Sequence, residues 1–60
     1  MFRTTLEAVG HGMQYDNIYF DTLKEAVEFI KGEVAVADYN ALGKVWEPAG
    51  LVPAFETKNF

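Results

Sequence analysis

Few residues in this chain could do chemistry. His11 is the single histidine, and there is no cysteine. Imidazole can serve as a metal ligand or a general base. A metal site, however, needs several convergent ligands, and there is no second histidine or thiolate to complete one. Set between Gly10 and Gly12, His11 reads as an exposed turn residue. The run Asp38-Tyr39-Asn40-Ala41-Leu42-Gly43 begins like a calcium loop, with oxygen donors at its first and third positions and glycine at its sixth. Its fifth position is Leu42, and its twelfth is Ala49, where a bidentate Glu is required. The run therefore reads as a helix end or a turn.

Paired carboxylates are the remaining route to acid–base work, and Asp16/Asp21 and Glu25/Glu28 are the candidate pairs. Glu25 and Glu28 are accounted for by capping and solvation, and a chain of 60 residues has little room for a desolvated cleft that shifts pKa values. There is no nucleophile elbow, Walker loop or dinucleotide fingerprint. The expectation is a protein that is not an enzyme and that uses no metal or cofactor.

Aromatic residues offer recognition instead. Tyr15 and Tyr19 share the face of a predicted strand opposite Ile18 and Phe20, next to Asp16, Asn17 and Asp21. Tyrosines in an acidic surround suit a protein interface, where each supplies buried area and a hydrogen bond. Two arrangements stay open. Either this face is exposed to a partner, or the C-terminal segment with Trp46, Leu51 and Phe55 folds back and buries it. In the first case the partner-binding set is Tyr15, Asp16, Asn17 and Tyr19 from the strand, with Glu25 and Glu28 from the helix that follows.

Nine acids and five bases give a net charge of −4, with the acids scattered along the chain. No two of Arg3, Lys24, Lys31, Lys44 and Lys58 are adjacent, so the sequence lacks the basic patch that a direct nucleic-acid binder requires. A partner with a basic surface is the better electrostatic match. Absence of cysteine suits a reducing compartment. The N-terminus lacks the pattern of a signal peptide, and no segment approaches the ~20 apolar residues of a membrane span. These features predict a soluble, cytoplasmic protein.

The elements that must position these residues follow from periodicity. Phe2, Thr4, Leu6 and Ala8 alternate with Arg3, Thr5, Glu7 and Val9, which predicts a half-buried strand. Gly10-His11-Gly12 turns the chain, and a second alternation through Ile18 and Phe20 completes an antiparallel hairpin. Thr22 and Glu25 form a T-x-x-E capping box, in which the Glu25 carboxylate is expected to reach back to the Thr22 amide. The helix it starts buries Leu23, Val27 and Ile30, with Ala26 and Phe29 to one side, and sets Lys24, Glu28 and Lys31 opposite. Ile18, Phe20, Leu23, Val27 and Ile30 are the expected core residues.

Gly32 permits two continuations. The helix can run on to Leu42 through Val34, Ala37 and Ala41, with Gly43 and Lys44 at its end; or Glu33 to Ala37 can form a short strand that turns at 40–43 into Lys44-Val45-Trp46. The helical continuation is preferred because alanine forms helices far better than strands. Pro48, Gly50 and Pro53 exclude a regular central strand from the remainder, leaving Val45-Trp46 and Leu51 to Glu56 as edge strands or extended segments. Residues 1–60 therefore read as a single α+β domain: an N-terminal antiparallel β-hairpin, one amphipathic helix and a C-terminal edge strand or extended segment.

This order, with Phe2, Thr4-Leu6-Glu7, Ile18-Tyr19, Thr22-Leu23-Lys24-Glu25-Ala26 and Pro48-Ala49-Gly50, resembles the small bacteriophage host-takeover proteins of β-β-α-β type, to which the bacteriophage T7 transcription inhibitor belongs. The stretch Glu33 to Trp46 is an insertion relative to them. Arginines in their last strand that matter for polymerase binding have no counterpart from Leu51 to Thr57. The resemblance implies a style of action rather than a target: a phage-type protein that binds and inhibits a host protein of the transcription or defence machinery in the bacterial cytoplasm. The alternative is an accessory module that self-associates through strand edges and tyrosine faces.

Overall fold

The computed structural model describes residues 1–11, 13, 14 and 18–60, with backbone alone for 13 and 14. Strand β1 (Phe2–Ala8) forms where the two-residue period predicts it. Gly10 then takes a φ of 91°, a left-handed conformation open to a residue without Cβ, and the exposed His11 donates its amide to the Ala8 carbonyl at 3.2 Å. The returning chain lies antiparallel along one edge of β1 as two segments, β2 (Met13–Gln14) and β3 (Ile18–Phe20). Glu7 stands opposite Gln14 and Thr4 opposite Ile18, so three steps along β1 are matched by four on the returning side. The expected hairpin is present.

Thr22 caps helix α1 (Leu23–Val36). Its hydroxyl oxygen accepts from the Glu25 amide at 3.2 Å, and the same hydroxyl donates to the Glu25 carboxylate at 2.9 Å. The carboxylate thus closes the capping box on the hydroxyl, not on the Thr22 amide that the pattern predicts. The helix passes through Gly32, where a Cβ would meet open space, and ends at Val36, short of Leu42. A strand over 33–37 does not form either.

After Ala37, whose φ of −68° and ψ of 136° are extended, the chain crosses residues 38–40 and enters β4 (Ala41–Trp46). β4 pairs antiparallel with β1 on one side and with β5 (Pro53–Lys58) on the other, so the sheet is four strands wide, with β2 and β3 sharing one edge and β5 forming the other. Val45 and Trp46 are therefore part of a central strand, which corrects their expected edge position. The later segment, from Pro53, is the edge strand the sequence predicts.

The physical reason lies in the inward side of β4. Ala41, Gly43 and Val45 alternate inward, and a Cβ on Gly43 would lie 2.5 Å from Ile30 Cγ1 and 2.8 Å from Val34 Cγ2. At Gly43 the helix crosses β4 so closely that an added Cβ does not fit without displacing a neighbour. Ala41 and Gly43 read as a helix tail when local propensity is the guide.

Ala26, Ile30 and Val45 form the centre of the core, walled by Phe2, Leu6, Phe20, Val27 and Phe55. Phe20 and Phe29 meet at 5.1 Å between ring centroids, tilted by 41°. Two expected core residues are exposed instead. Ile18 lies on the outer edge of the sheet, and Leu23 heads the helix a turn before Ala26, the first residue of α1 to be buried.

Candidate functional site

Helix α1 covers one face of the sheet, and among the described residues no further layer covers the other. Phe2, Leu6, Val45 and Phe55 point to the helix, so their strand neighbours point the opposite way. The register arranges those neighbours in rows. Tyr19 stands opposite Arg3, and Arg3 opposite Trp46. The next row runs Thr5, Lys44, Glu56, and the third runs Glu7, Leu42, Lys58.

Trp46 is the fixed point of this face. Its indole N–H donates to Thr5 Oγ1 at 3.0 Å. Thr5 is buried although it sits on the face that lacks a helix, because the indole takes the place of a covering layer. The Arg3 guanidinium carbon lies 5.1 Å from the indole ring centroid, and Lys44 Nζ lies 5.6 Å from it. Contacts of this kind contribute about 0.5–1 kcal/mol each at exposed positions. A half-buried tryptophan is thus held by one hydrogen bond and flanked by two cations. Tyr19, at the edge of the same row, is 52% exposed.

The β4–β5 connection adjoins this row, since Trp46 pairs with Pro53 at the end of the sheet where Arg3 and Tyr19 lie. The Gly50 amide donates to the Glu47 carbonyl at 3.0 Å, tightening the turn. Leu51 and Val52 project from it at 94% and 73% exposure. The two form an exposed apolar pair beside the aromatic row.

Of the residues predicted to bind a partner, Tyr15, Asp16 and Asn17 lie outside the described residues. Tyr19 is on the helix-free face, and the C-terminal segment does not fold over it: Trp46 and Phe55 are strand residues, and Phe55 packs on the helix side. Glu25 and Glu28 are exposed on α1, in the layer covering the other face, so the structure does not bring them together with Tyr19. Arg3, Thr5, Lys44 and Trp46 escape a local reading because their grouping depends on pairing β1 with the distant β4. The available signal is the outward period Leu42, Lys44, Trp46, masked by the small residues between.

A cleft of about 210 Å³ between α1 and the β1–β3 side is lined by Leu6, Ile18, Phe29 and Ile30, among others, and Glu33 supplies a carboxylate to it. Among the described residues, no group of three or more His, Asp or Glu side chains could hold a metal ion. Among the described residues, no helix is long and apolar enough to cross a membrane.

Fold and site together define a small α+β domain with one sheet face closed by a helix and the other presenting a fixed aromatic and cationic row. Comparison with known proteins finds no matching family model, curated protein or solved structure.

Proposed function

We propose that this protein is a non-catalytic binding module that engages another protein through the helix-free face of its sheet. The observation that carries this reading is the row Tyr19–Arg3–Trp46, in which the indole is held by Thr5 and flanked by Arg3 and Lys44. Trp, Tyr and Arg are the residue types that dominate binding energy at protein interfaces. A tryptophan held in place loses little conformational freedom on binding. In its specific form, the reading is of a phage-type protein that binds and inhibits a host protein of the transcription or defence machinery, supported by its few chemical groups and the resemblance noted in its sequence.

Affinity capture from bacterial lysate with the tagged chain, followed by mass spectrometry, tests this. The expected result is a specific protein retained by the native chain and lost with Tyr19→Ala, while circular dichroism shows an unchanged fold. Retention unaffected by Tyr19→Ala and by Arg3→Gln would remove the helix-free face as the interface, and no protein above background would remove the binding reading.

Self-association is the second reading. It is favoured by the outer edge of β5, which has no strand partner among the described residues, and by the neighbouring Leu51-Val52 pair. Sedimentation separates the two: a stable homo-oligomer supports self-association, and a monomer supports the partner-binding module.

A further inference from the structure

The described strand residues of the helix-free face carry a charge balance opposite to that of the whole chain. Among the described strand residues, Arg3, Lys44 and Lys58 share this face with Glu7 and Glu56, an excess of one positive charge, with Glu47 in the adjoining β4–β5 connection, while the chain as a whole is at −4. Asp21, Glu25, Glu28, Glu33 and Asp38 gather along and around the helix, against Lys24 and Lys31. The fold has therefore drawn three of the five cations of the chain to this side of the sheet.

Among the described residues, the cations on this face have no ion-pair partner. Among the described residues no ion pair or hydrogen bond engages the side chains of Arg3, Lys44 or Lys58, even though Glu56 stands opposite Lys44 in register. Each lies over an aromatic ring instead: Arg3 and Lys44 over Trp46, and Lys58 over Phe60 at 5.1 Å. A cation over a ring keeps N–H donors free for an acceptor. The guanidinium in particular retains the planar fork that grips a carboxylate through two hydrogen bonds.

We propose that Arg3 and Lys44 receive a protein segment bearing one or two carboxylates, with an adjacent apolar side chain of that segment packing on Trp46 and the Leu51-Val52 pair. This inference rests on the partner-binding reading and reverses the partner chemistry that net charge alone predicts. Charge complementarity commits it to a protein segment. A nucleic acid gains affinity by releasing counter-ions from many neutralised phosphates. Three cations interleaved with Glu7 and Glu56 neutralise few of them, and a polyanion would meet both carboxylates. One or two carboxylates match Arg3 and Lys44, and the exposed apolar pair gives the neighbouring side chain a contact.

Trp46 is the only tryptophan, so its emission reports on this face alone. The whole chain is titrated separately with a short peptide alternating glutamate and leucine, its lysine–leucine counterpart, and an oligothymidylate of equal length, with amide NMR shifts followed in parallel. The acidic peptide is expected to change Trp46 emission and move the Arg3, Tyr19, Lys44 and Trp46 amide signals. The Arg3→Gln/Lys44→Gln double variant, folded by circular dichroism, is expected to weaken that binding at least about tenfold at low salt, since each charge-assisted bond is strong and screened by ions. Tighter binding of the basic peptide or the oligothymidylate, equal binding by the double variant, or no response to any probe overturns the proposal. If the acidic peptide fails while a captured protein is still lost with Tyr19→Ala, the acidic-segment inference falls and the binding module stands.

Discussion

The indole N–H of Trp46 donates to the Thr5 hydroxyl at 3.0 Å, joining two residues on neighbouring central strands across the face that no helix covers. Removing the acceptor should leave a half-buried donor without a protein partner. Thr5→Val is expected to cost about 1 kcal/mol, the net worth of one such bond. It should also shift Trp46 emission to longer wavelength as water reaches the indole. Urea unfolding of Thr5→Val, Trp46→Phe and the double variant gives the coupling directly, and purely additive effects would show that the bond contributes nothing to stability.

Asn59 fastens the C-terminal strand to the end of the helix. Its Oδ1 accepts from the Ala41 amide at 2.9 Å, and its Nδ2 donates to the Val34 and Tyr39 carbonyls at 3.2 and 2.9 Å. Asn59→Ala should lower stability by about 1–3 kcal/mol, less than the sum for three separate bonds because water reaches part of the site. Asn59→Asp preserves the acceptor but sets a carboxylate oxygen against two carbonyls, so it should destabilise at least as much as alanine. An aspartate variant as stable as the native protein would contradict the role of the two donated bonds. Thermal unfolding of the three chains decides.

Gly43 lies where α1 crosses β4, and its substitution tests the closeness of that crossing. With a new Cβ 2.5 Å from Ile30 Cγ1, Gly43→Ala must displace the helix or force Ile30 off its rotamer. Overpacking of this kind costs about 1–3 kcal/mol. In an Ile30→Ala background the same change should cost less, because the nearest colliding atoms are gone and only Val34 Cγ2, at 2.8 Å, remains. Equal costs in both backgrounds, measured by urea unfolding, would place the strain elsewhere.

Gly32 should behave in the opposite way. It lies inside α1 with open space where a Cβ would project. Gly32→Ala is therefore expected to stabilise the protein by about 0.5–1 kcal/mol, through helix propensity and a less flexible unfolded chain. A lowered urea midpoint would mean that the helix is not regular at this position.

Much of the fold was legible because its signals are local. Alternation over Phe2–Ala8, a glycine turn at Gly10, the Thr22/Glu25 cap and a proline-bounded edge strand each depend on residues within a few positions of one another. The end of the helix was not. Ala37 and Ala41 suit a helix locally, and nothing near them announces that Asn59 will bond the Val34 carbonyl and the Ala41 amide from the far end of the chain.

The sequence by itself determined an α+β domain, its hairpin, its capped helix and its scarcity of catalytic groups, since these follow from periodicity, capping chemistry and residue inventory. Only the tertiary structure decided that Ala41–Trp46 is a central strand, because the small residues that make it a poor strand on propensity are the ones that let the helix pack against it. That pairing also brings Arg3 and Lys44 to Trp46. Strand pairing is a long-range choice, set by burial and register across the whole chain, so the surface it builds cannot be read from any one stretch.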